Sequence, residues 1–201
     1  MRAHRSAVVD PGAVIAEDVE IGPFCIVGPG VRIGPGCRLV GHVLIQGSVV
    51  VGRDNVFHPQ SKVGAAEGGR IEIGDGNVFR EHSHVDAPKA GGETRVGSRN
   101  RFGVCVAIGS GCRIGNNIRM GGYALLGDAC VVEDGASIEA QVVIGNEEPM
   151  RVGRGSRVRS MVPLTEDVPP STLMDWDPET GLPGAGTLLE GGGACASRGS
   201  A

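Results

Sequence analysis

Residues 9–50 divide into consecutive hexads, VDPGAV, IAEDVE, IGPFCI, VGPGVR, IGPGCR, LVGHVL and IQGSVV, each of which begins with an apolar residue. The same step continues beyond them and, after short interruptions, resumes with an apolar first residue every time. Those later first positions are Val51, Phe57, Val63, Ile73, Phe79, Val85, Val96, Phe102, Ile108, Ile114, Met120, Leu126, Val132, Ile138, Ile144, Val152, Val158 and Leu164. A period of six fits neither the α-helix, at about 3.6 residues per turn, nor a simple alternating strand. The repeat therefore indicates short strands separated by tight turns.

This repeat predicts an all-β fold, in which three hexads form one triangular coil and the coils stack by parallel hydrogen bonding. Val and Ile at first positions favour strands. We expect a β-helix domain of about eight coils over residues 7–170, because the repeat stops after Leu164 and proline at 169 and 170 cannot extend a ladder of strands. Residues 171–201 are Gly-rich and aperiodic, so we expect a largely disordered tail. Phe57, Phe79 and Phe102 lie three hexads apart and should stack as rings in the core.

The composition excludes several classes of protein. A net charge of −4, with both signs scattered, gives no basic stripe for nucleic acid. No apolar run reaches the ~20 residues of a membrane span, and the N-terminus lacks a secretion signal, so a cytoplasmic protein is expected. The 6 Cys form no Cys-x-x-Cys pair. Cys25, Cys37, Cys112 and Cys130 share one hexad position, where small inward-facing residues are expected.

Three insertions interrupt the six-residue step, within residues 64–72, 86–95 and 145–151. A coil contains three hexads, and each insertion follows the same one of the three. All three should therefore leave the prism at one edge. Loops along one edge of a repeat protein are typical of its binding face.

Several stretches resemble the UDP-N-acetylglucosamine O-acyltransferase family of lipid A biosynthesis. They are residues 21–25 (IGPFC), 51–55 (VGRDN), 73–81 (IGDGNVFRE), 96–100 (VGSRN) and 166–170 (EDVPP). The resemblance covers residues 7–170 and implies a left-handed parallel β-helix, a homotrimer and a site in the groove between neighbouring prisms. It also implies transfer of a hydroxyacyl chain from acyl carrier protein to a sugar 3-hydroxyl, with a histidine as general base.

The chain departs from this family where the base is expected. By the resemblance, the two histidines of the family's catalytic segment correspond to Ala107 and Ser110, and two further family histidines correspond to Asp86 and Ala129. A serine hydroxyl does not act as a base near neutral pH, whereas imidazole titrates there. The sequence therefore predicts loss of the parent reaction.

A relocated base is the alternative that the residues leave open. Equivalent positions in successive three-hexad coils should lie one above the other. This places His84 one coil below Ala107, and Asp86 one coil below Gly109 and beside Ser110. Ser110, His84 and Asp86 are therefore the candidate catalytic residues, as a relocated base or a nucleophile–base pair.

Arg80 and Glu81 match the family block and, with Gly109, are the candidate substrate-binding residues. His82, His84 and Asp86 also have a spacing seen in metal sites. The next coil lacks the second histidine pair that such a site requires, so we predict no metal and no cofactor.

Three functions remain open at this level. The first is a trimeric paralogue of the acyltransferases that has lost catalysis but keeps a groove for a UDP-sugar, an acyl carrier protein or a partner paralogue. The second is an active acyltransferase that modifies a different sugar with the relocated base. The third is a structural scaffold without a ligand.

Overall fold

The computed structural model describes residues 1–65, 67–88, 91–145, 147–162, 164, 166–176 and 183–187. Within these residues the chain winds through three parallel sheets in turn and completes about nine turns of a β-helix. The described part contains no helix long and apolar enough to cross a membrane. The all-β fold with stacked coils that the six-residue period predicts is confirmed.

Sheet A has 11 strands. They are β1 (Arg2–Ala3), β4 (Glu20–Ile21), β7 (Arg38–Leu39), β10 (Val56–Phe57), β13 (Val78–Phe79), β16 (Arg101–Phe102), β19 (Arg119–Met120), β22 (Ser137–Ile138), β25 (Arg157–Val158), β26 (Thr172–Trp176) and β27 (Pro183–Thr187).

Sheets B and C have 8 strands each. Sheet B contains β2 (Val8–Val9), β5 (Ile26–Val27), β8 (Leu44–Ile45), β11 (Lys62–Val63), β14 (His84–Val85), β17 (Ala107–Ile108), β20 (Leu125–Leu126) and β23 (Val143–Ile144). Sheet C contains β3 (Val14–Ile15), β6 (Arg32–Ile33), β9 (Val49–Val51), β12 (Arg70–Ile73), β15 (Glu93–Val96), β18 (Arg113–Ile114), β21 (Val131–Val132) and β24 (Arg151–Val152).

The first residue of each hexad forms the core. In β7, for example, Arg38 is exposed while Leu39 is buried, because successive side chains of a strand point to opposite faces. The predicted ring stack is present: the Phe57 and Phe79 centroids are 4.8 Å apart, as are those of Phe79 and Phe102. These rings fill the prism at the level of three successive coils.

Cys25, Cys37, Cys112 and Cys130 are all buried, as their shared hexad position predicts. Burial raises the pKa of the Cys25 and Cys37 thiols. Interaction with the neighbouring Cys130 thiol raises the pKa of Cys112 further, and the same interaction lowers the pKa of Cys130 to about 7. Cys130 is fully enclosed, so its thiol is a packing group in the folded protein.

Asparagine side chains form a second buried column between sheets C and A, which the apolar period does not predict. Asn55, Asn77 and Asn100 are completely buried. The Oδ1 atom of Asn55 accepts hydrogen bonds from the backbone N–H and the Nδ2 of Asn77, each 2.9 Å long. The Oδ1 of Asn77 likewise accepts the N–H of Asn100 at 2.9 Å. Each amide therefore joins one coil to the next at a corner that lies away from solvent.

Glycine is required where neighbouring coils come close together. A Cβ added to Gly22 would lie 1.9 Å from the carbonyl oxygen of Val40 in the next coil. The corners also contain many residues with positive φ, including His82 at 58° and Cys105 at 57°. Tight turns of this kind set the width of the prism.

The three insertions leave at one edge, as the phase argument predicts. Each connects a strand of sheet B to the next strand of sheet C: β11 to β12, β14 to β15, and β23 to β24. We refer to this edge as the BC edge and to the edge between sheets A and B as the AB edge.

The sheets extend beyond the predicted domain at both ends. β1 pairs with β4 before residue 7, and Val168 forms a bridge with Val152 beside the Pro169-Pro170 pair. After these prolines β26 adds to sheet A in parallel to β25, and β27 pairs with it in antiparallel orientation. Proline removes only one donor, so the backbone resumes the ladder two residues later. The predicted disorder of residues 177–182 and 188–201 lies outside the described residues.

Candidate functional site

The predicted catalytic residues gather at the BC edge, where parallel pairing fixes their relative positions. His84 is in register with Ala107, and Val85 with Ile108. The backbone N–H of Asp86 donates to the carbonyl of Ile108 at 2.9 Å, which places Asp86 opposite Gly109. The coil positions derived from the sequence therefore agree with the structure.

His84 and Asp86 form a long polar contact, and both side chains are exposed to solvent. The Nε2 of His84 lies 3.9 Å from the Oδ2 of Asp86. Their side chains are 41% and 48% exposed, so water competes for both groups and the pair is weak. Within the described residues, the Ser110 side chain forms no hydrogen bond with either of them. The structure thus places three polar groups on one edge without joining them into a hydrogen-bonded relay.

The backbone donors of the Ser110 turn are already occupied. The N–H of Ser110 donates to the Oδ1 of Asp128 at 2.8 Å, and the N–H of Gly111 donates to the Oγ1 of Thr94 at 2.9 Å. A transition-state oxyanion needs donors that are free and correctly aimed. These two amides therefore stabilise the fold and do not provide such donors.

Thr94 is the residue that sequence reasoning missed. It is completely buried, and its hydroxyl donates to the carbonyl of Asp86 at 3.0 Å while accepting the N–H of Gly111. One hydroxyl therefore fixes the spacing between the His84–Asp86 strand and the Ser110 turn. Thr94 lies inside an insertion, where the six-residue repeat gives no signal for it.

Asp128 has a structural role that recurs along the prism. The Oδ1 of Asp75 accepts the N–H of Arg53, and the Oδ1 of Asp134 accepts the N–H of Asn116, each at 2.8 Å. An Asp at the third hexad position thus secures the turn of the coil below. Asp128 occupies the same position and does the same for Ser110.

The predicted substrate-binding residues divide between two edges. Gly109 lies at the BC edge, whereas Arg80 and Glu81 lie in the turn from β13 to β14, at the AB edge. The Nε of Arg80 donates to the Oε2 of Glu81 at 2.9 Å, and the Nδ1 of His58 lies 3.4 Å from its Oε1. The Arg80 guanidinium holds the pKa of the Glu81 carboxyl below its usual range. Within one chain, therefore, sheet B separates these residues from Ser110.

The His82-x-His84-x-Asp86 spacing does not converge on one point. His82 occupies the AB corner with a φ of 58°, His84 lies on sheet B, and Asp86 begins the BC edge. Over the described ranges, no three His, Cys, Asp or Glu side chains come together as a metal site would require.

Comparison with known proteins identifies relatives of the same architecture. Residues 4–35 and 12–47 match the model of the bacterial transferase hexapeptide (six repeats) family. An acyl-[acyl-carrier-protein]–UDP-N-acetylglucosamine O-acyltransferase of Akkermansia muciniphila is 46% identical over 118 residues, covering 54% of this chain and 46% of that protein. The chain spans about half the length of the curated relatives it matches.

Solved structures extend this similarity over most of the chain. The UDP-N-acetylglucosamine acyltransferase of Francisella novicida superimposes with a TM-score of 0.82 at 30% identity, covering 86% of this chain and 66% of that one. The enzyme of Bacteroides fragilis gives 0.80 at 26% identity, with 87% and 71% covered. A coil of the opposite hand would not superimpose so far, so the left-handed parallel β-helix is confirmed. The chain therefore contains hexapeptide repeats and is similar in sequence and fold to the UDP-N-acetylglucosamine O-acyltransferases.

Proposed function

We propose that this chain is a trimeric, cytoplasmic member of the acyltransferase family that binds a UDP-sugar or an acyl carrier protein and does not catalyse O-acyl transfer. The observation that carries this proposal is the chemistry of the BC edge. Ala107, Ser110 and Ala129 provide no proton acceptor at neutral pH, and the amides of Ser110 and Gly111 are engaged within the fold.

The outward surface of sheet B supports the trimer. Six of its eight outward positions are apolar, and several are well exposed; they are Val8, Ile26, Leu44, Ala107, Leu125 and Val143. Sheets A and C present mainly charged side chains at the equivalent positions, such as Arg101 and Arg113. Lys62 and His84 interrupt this apolar surface at its middle, and an exposed apolar surface of this extent is typical of an association surface.

Threefold packing through sheet B would also complete the divided site. When three prisms turn sheet B toward a common axis, the AB edge of each subunit lies beside the BC edge of the next. Arg80 and Glu81 of one subunit would then face Gly109 and Ser110 of its neighbour. The proposed ligand groove therefore lies between subunits, and each groove requires two of them.

The association surface gives a direct prediction. Leu125→Glu should convert the trimer to a monomer, because three carboxylates would be buried near the axis without partners. Light scattering should show the mass falling from about three chains to one. Val131→Glu, a matched change on the outward side of sheet C, should leave the trimer intact. A trimer that survives Leu125→Glu would contradict packing through sheet B.

The loss of catalysis is tested with the intact protein. Hydroxyacyl carrier protein and UDP-N-acetylglucosamine should give no acylated sugar, whereas an active relative assayed in parallel should form it. Titration calorimetry should show saturable binding of the UDP-sugar. If the protein shows neither turnover nor binding, a structural scaffold is the remaining candidate function.

An active acyltransferase that modifies a different sugar is the second candidate, and the proximity of His84 and Asp86 favours it. An imidazole beside a carboxylate can accept a proton near neutral pH. If turnover is found with any UDP-sugar, His84→Ala and Ser110→Ala should abolish it under this alternative. His42→Ala, which removes an imidazole stacked on Phe24, should not change it. Such a result would overturn the proposed loss of catalysis.

A further inference from the structure

A groove on the outer face of sheet A meets the site described above only at Arg80, which lines one end of it. It has a volume of about 560 Å³ and crosses four successive strands, β13, β16, β19 and β22. We refer to it as the arginine groove, and the residues used below are Arg80, Arg101, Gly103, Arg119, Gly121 and Glu139.

Two cations lie side by side along this groove. Arg101 and Arg119 are in register on neighbouring strands, which are separated by about 4.8 Å. Both side chains are exposed, and neither has a carboxylate or other hydrogen-bond partner in the part of the chain that the structure describes. Like charges directly opposite each other in a sheet are destabilising. An anion bound between the two guanidinium groups would offset the repulsion between their charges.

The floor of the groove consists of backbone. Gly103 and Gly121 follow the buried first residues Phe102 and Met120, and neither leaves room for a side chain. A Cβ on Gly103 would lie 2.6 Å from the N of Gly122, and one on Gly121 would lie 2.4 Å from the N of Ala140. The close coil spacing thus keeps this surface recessed between its charged ends.

The two ends of the groove differ in charge. At one end Arg80 is paired with Glu81, so its charge is largely balanced. At the other end the Oε2 of Glu139 accepts hydrogen bonds from the backbone N–H and hydroxyl of Ser160, at 3.2 and 3.4 Å. The groove therefore has an anion-binding centre at Arg101 and Arg119 and an acceptor that suits hydroxyl groups at one end.

We propose that the arginine groove binds the diphosphate group of a small organic molecule. Guanidinium groups bind phosphate oxygens through paired, charge-assisted hydrogen bonds, and two stacked guanidiniums match two linked phosphates. The enclosed volume exceeds that of diphosphate alone and leaves space for an attached organic group. The site lies on sheet A, away from the surface proposed for trimer packing, and it stands independently of the proposed function.

Calorimetry on the full chain, with inorganic diphosphate, UDP and uridine as probes, tests this site. Diphosphate and UDP should bind, and uridine should not. Arg101→Gln combined with Arg119→Gln should weaken diphosphate binding about tenfold or more, since two charge-assisted contacts are lost. Tighter binding of UDP than of diphosphate would identify a nucleotide as the source, and equal binding would identify a free diphosphate; either outcome supports the site when the double variant weakens that binding, whereas UDP binding that the double variant leaves unchanged belongs to the groove between subunits.

Matched variants separate this site from general charge attraction. Arg32→Gln removes an exposed, unpaired arginine from sheet C and should leave the dissociation constant within about twofold, because distant surface charges are screened. Glu139→Gln should not weaken diphosphate binding. Diphosphate that binds the double variant as tightly as the natural protein would overturn the proposal. An equal loss in Arg32→Gln would overturn it as well.

Discussion

Phe79→Ala should lower the free energy of unfolding by about 3–5 kcal/mol, among the largest effects expected of a single substitution in this chain. Phe79 is the middle ring of the Phe57, Phe79 and Phe102 stack, with centroids 4.8 Å away on both sides. Its ring is 1% exposed and spans the prism interior. Removing it would leave a cavity that the rigid coils above and below cannot collapse to fill.

Urea denaturation followed by circular dichroism would measure this loss. Phe24→Ala is the matched control, because it makes the same chemical change at a side chain that is 57% exposed. We expect the control to cost less than about 1 kcal/mol, as surface substitutions usually do. Equal losses in the two variants would show that the ring stack does not form the core.

Asn77→Ala should cost about 3–5 kcal/mol, because it leaves buried backbone groups without partners. The Asn77 side chain accepts the N–H of Asn100 and donates to the carbonyl of Gly97, both at 2.9 Å. The N–H of Asn100 cannot reach water once the amide is removed, because Asn77 and Asn100 are fully buried, and the carbonyl of Gly97 is partly buried. The substitution would remove hydrogen bonds to both neighbouring coils, through Asn55 in the preceding coil and Asn100 in the following one.

Asn117→Ala provides the comparison for this amide. Asn117 is exposed, and its Oδ1 accepts one hydrogen bond from the Nε of Arg99 at 3.0 Å. We expect a loss of about 1 kcal/mol there, since water can replace the bond. If Asn77→Ala proved no more costly than this control, the buried amide column would contribute little to stacking of the coils.

The six-residue period predicted most of the fold because it reports burial directly. Each first position points into a prism whose shape repeats, so one rule identifies the core from Val9 to Val158. The same counting placed His84 opposite Ala107, stacked the phenylalanine rings and assigned the insertions to one edge. These features depend on register, and in a regular coil the register follows directly from counting residues.

Counting residues could not predict which side chains form hydrogen bonds with one another. Thr94 joins Asp86 to Gly111 from within an insertion, where no period applies. The sequence placed Ser110 near His84 and Asp86 but could not show that the amides of its turn are occupied. Arg80 and Glu81 match the family block at residues 73–81, yet they lie at the opposite edge of sheet B from Ser110.

By itself, the sequence determined that this chain is a stacked β-helix with a family resemblance and no histidine at the expected base position. It could do so because apolar periodicity and residue identity are local properties of the chain. Only the tertiary structure decided which polar groups are satisfied, which face is apolar, and that Arg101 and Arg119 flank a recessed backbone floor. Those features arise between coils, from residues about 18 or more positions apart, where the directions and distances of side chains become defined only when the coils stack.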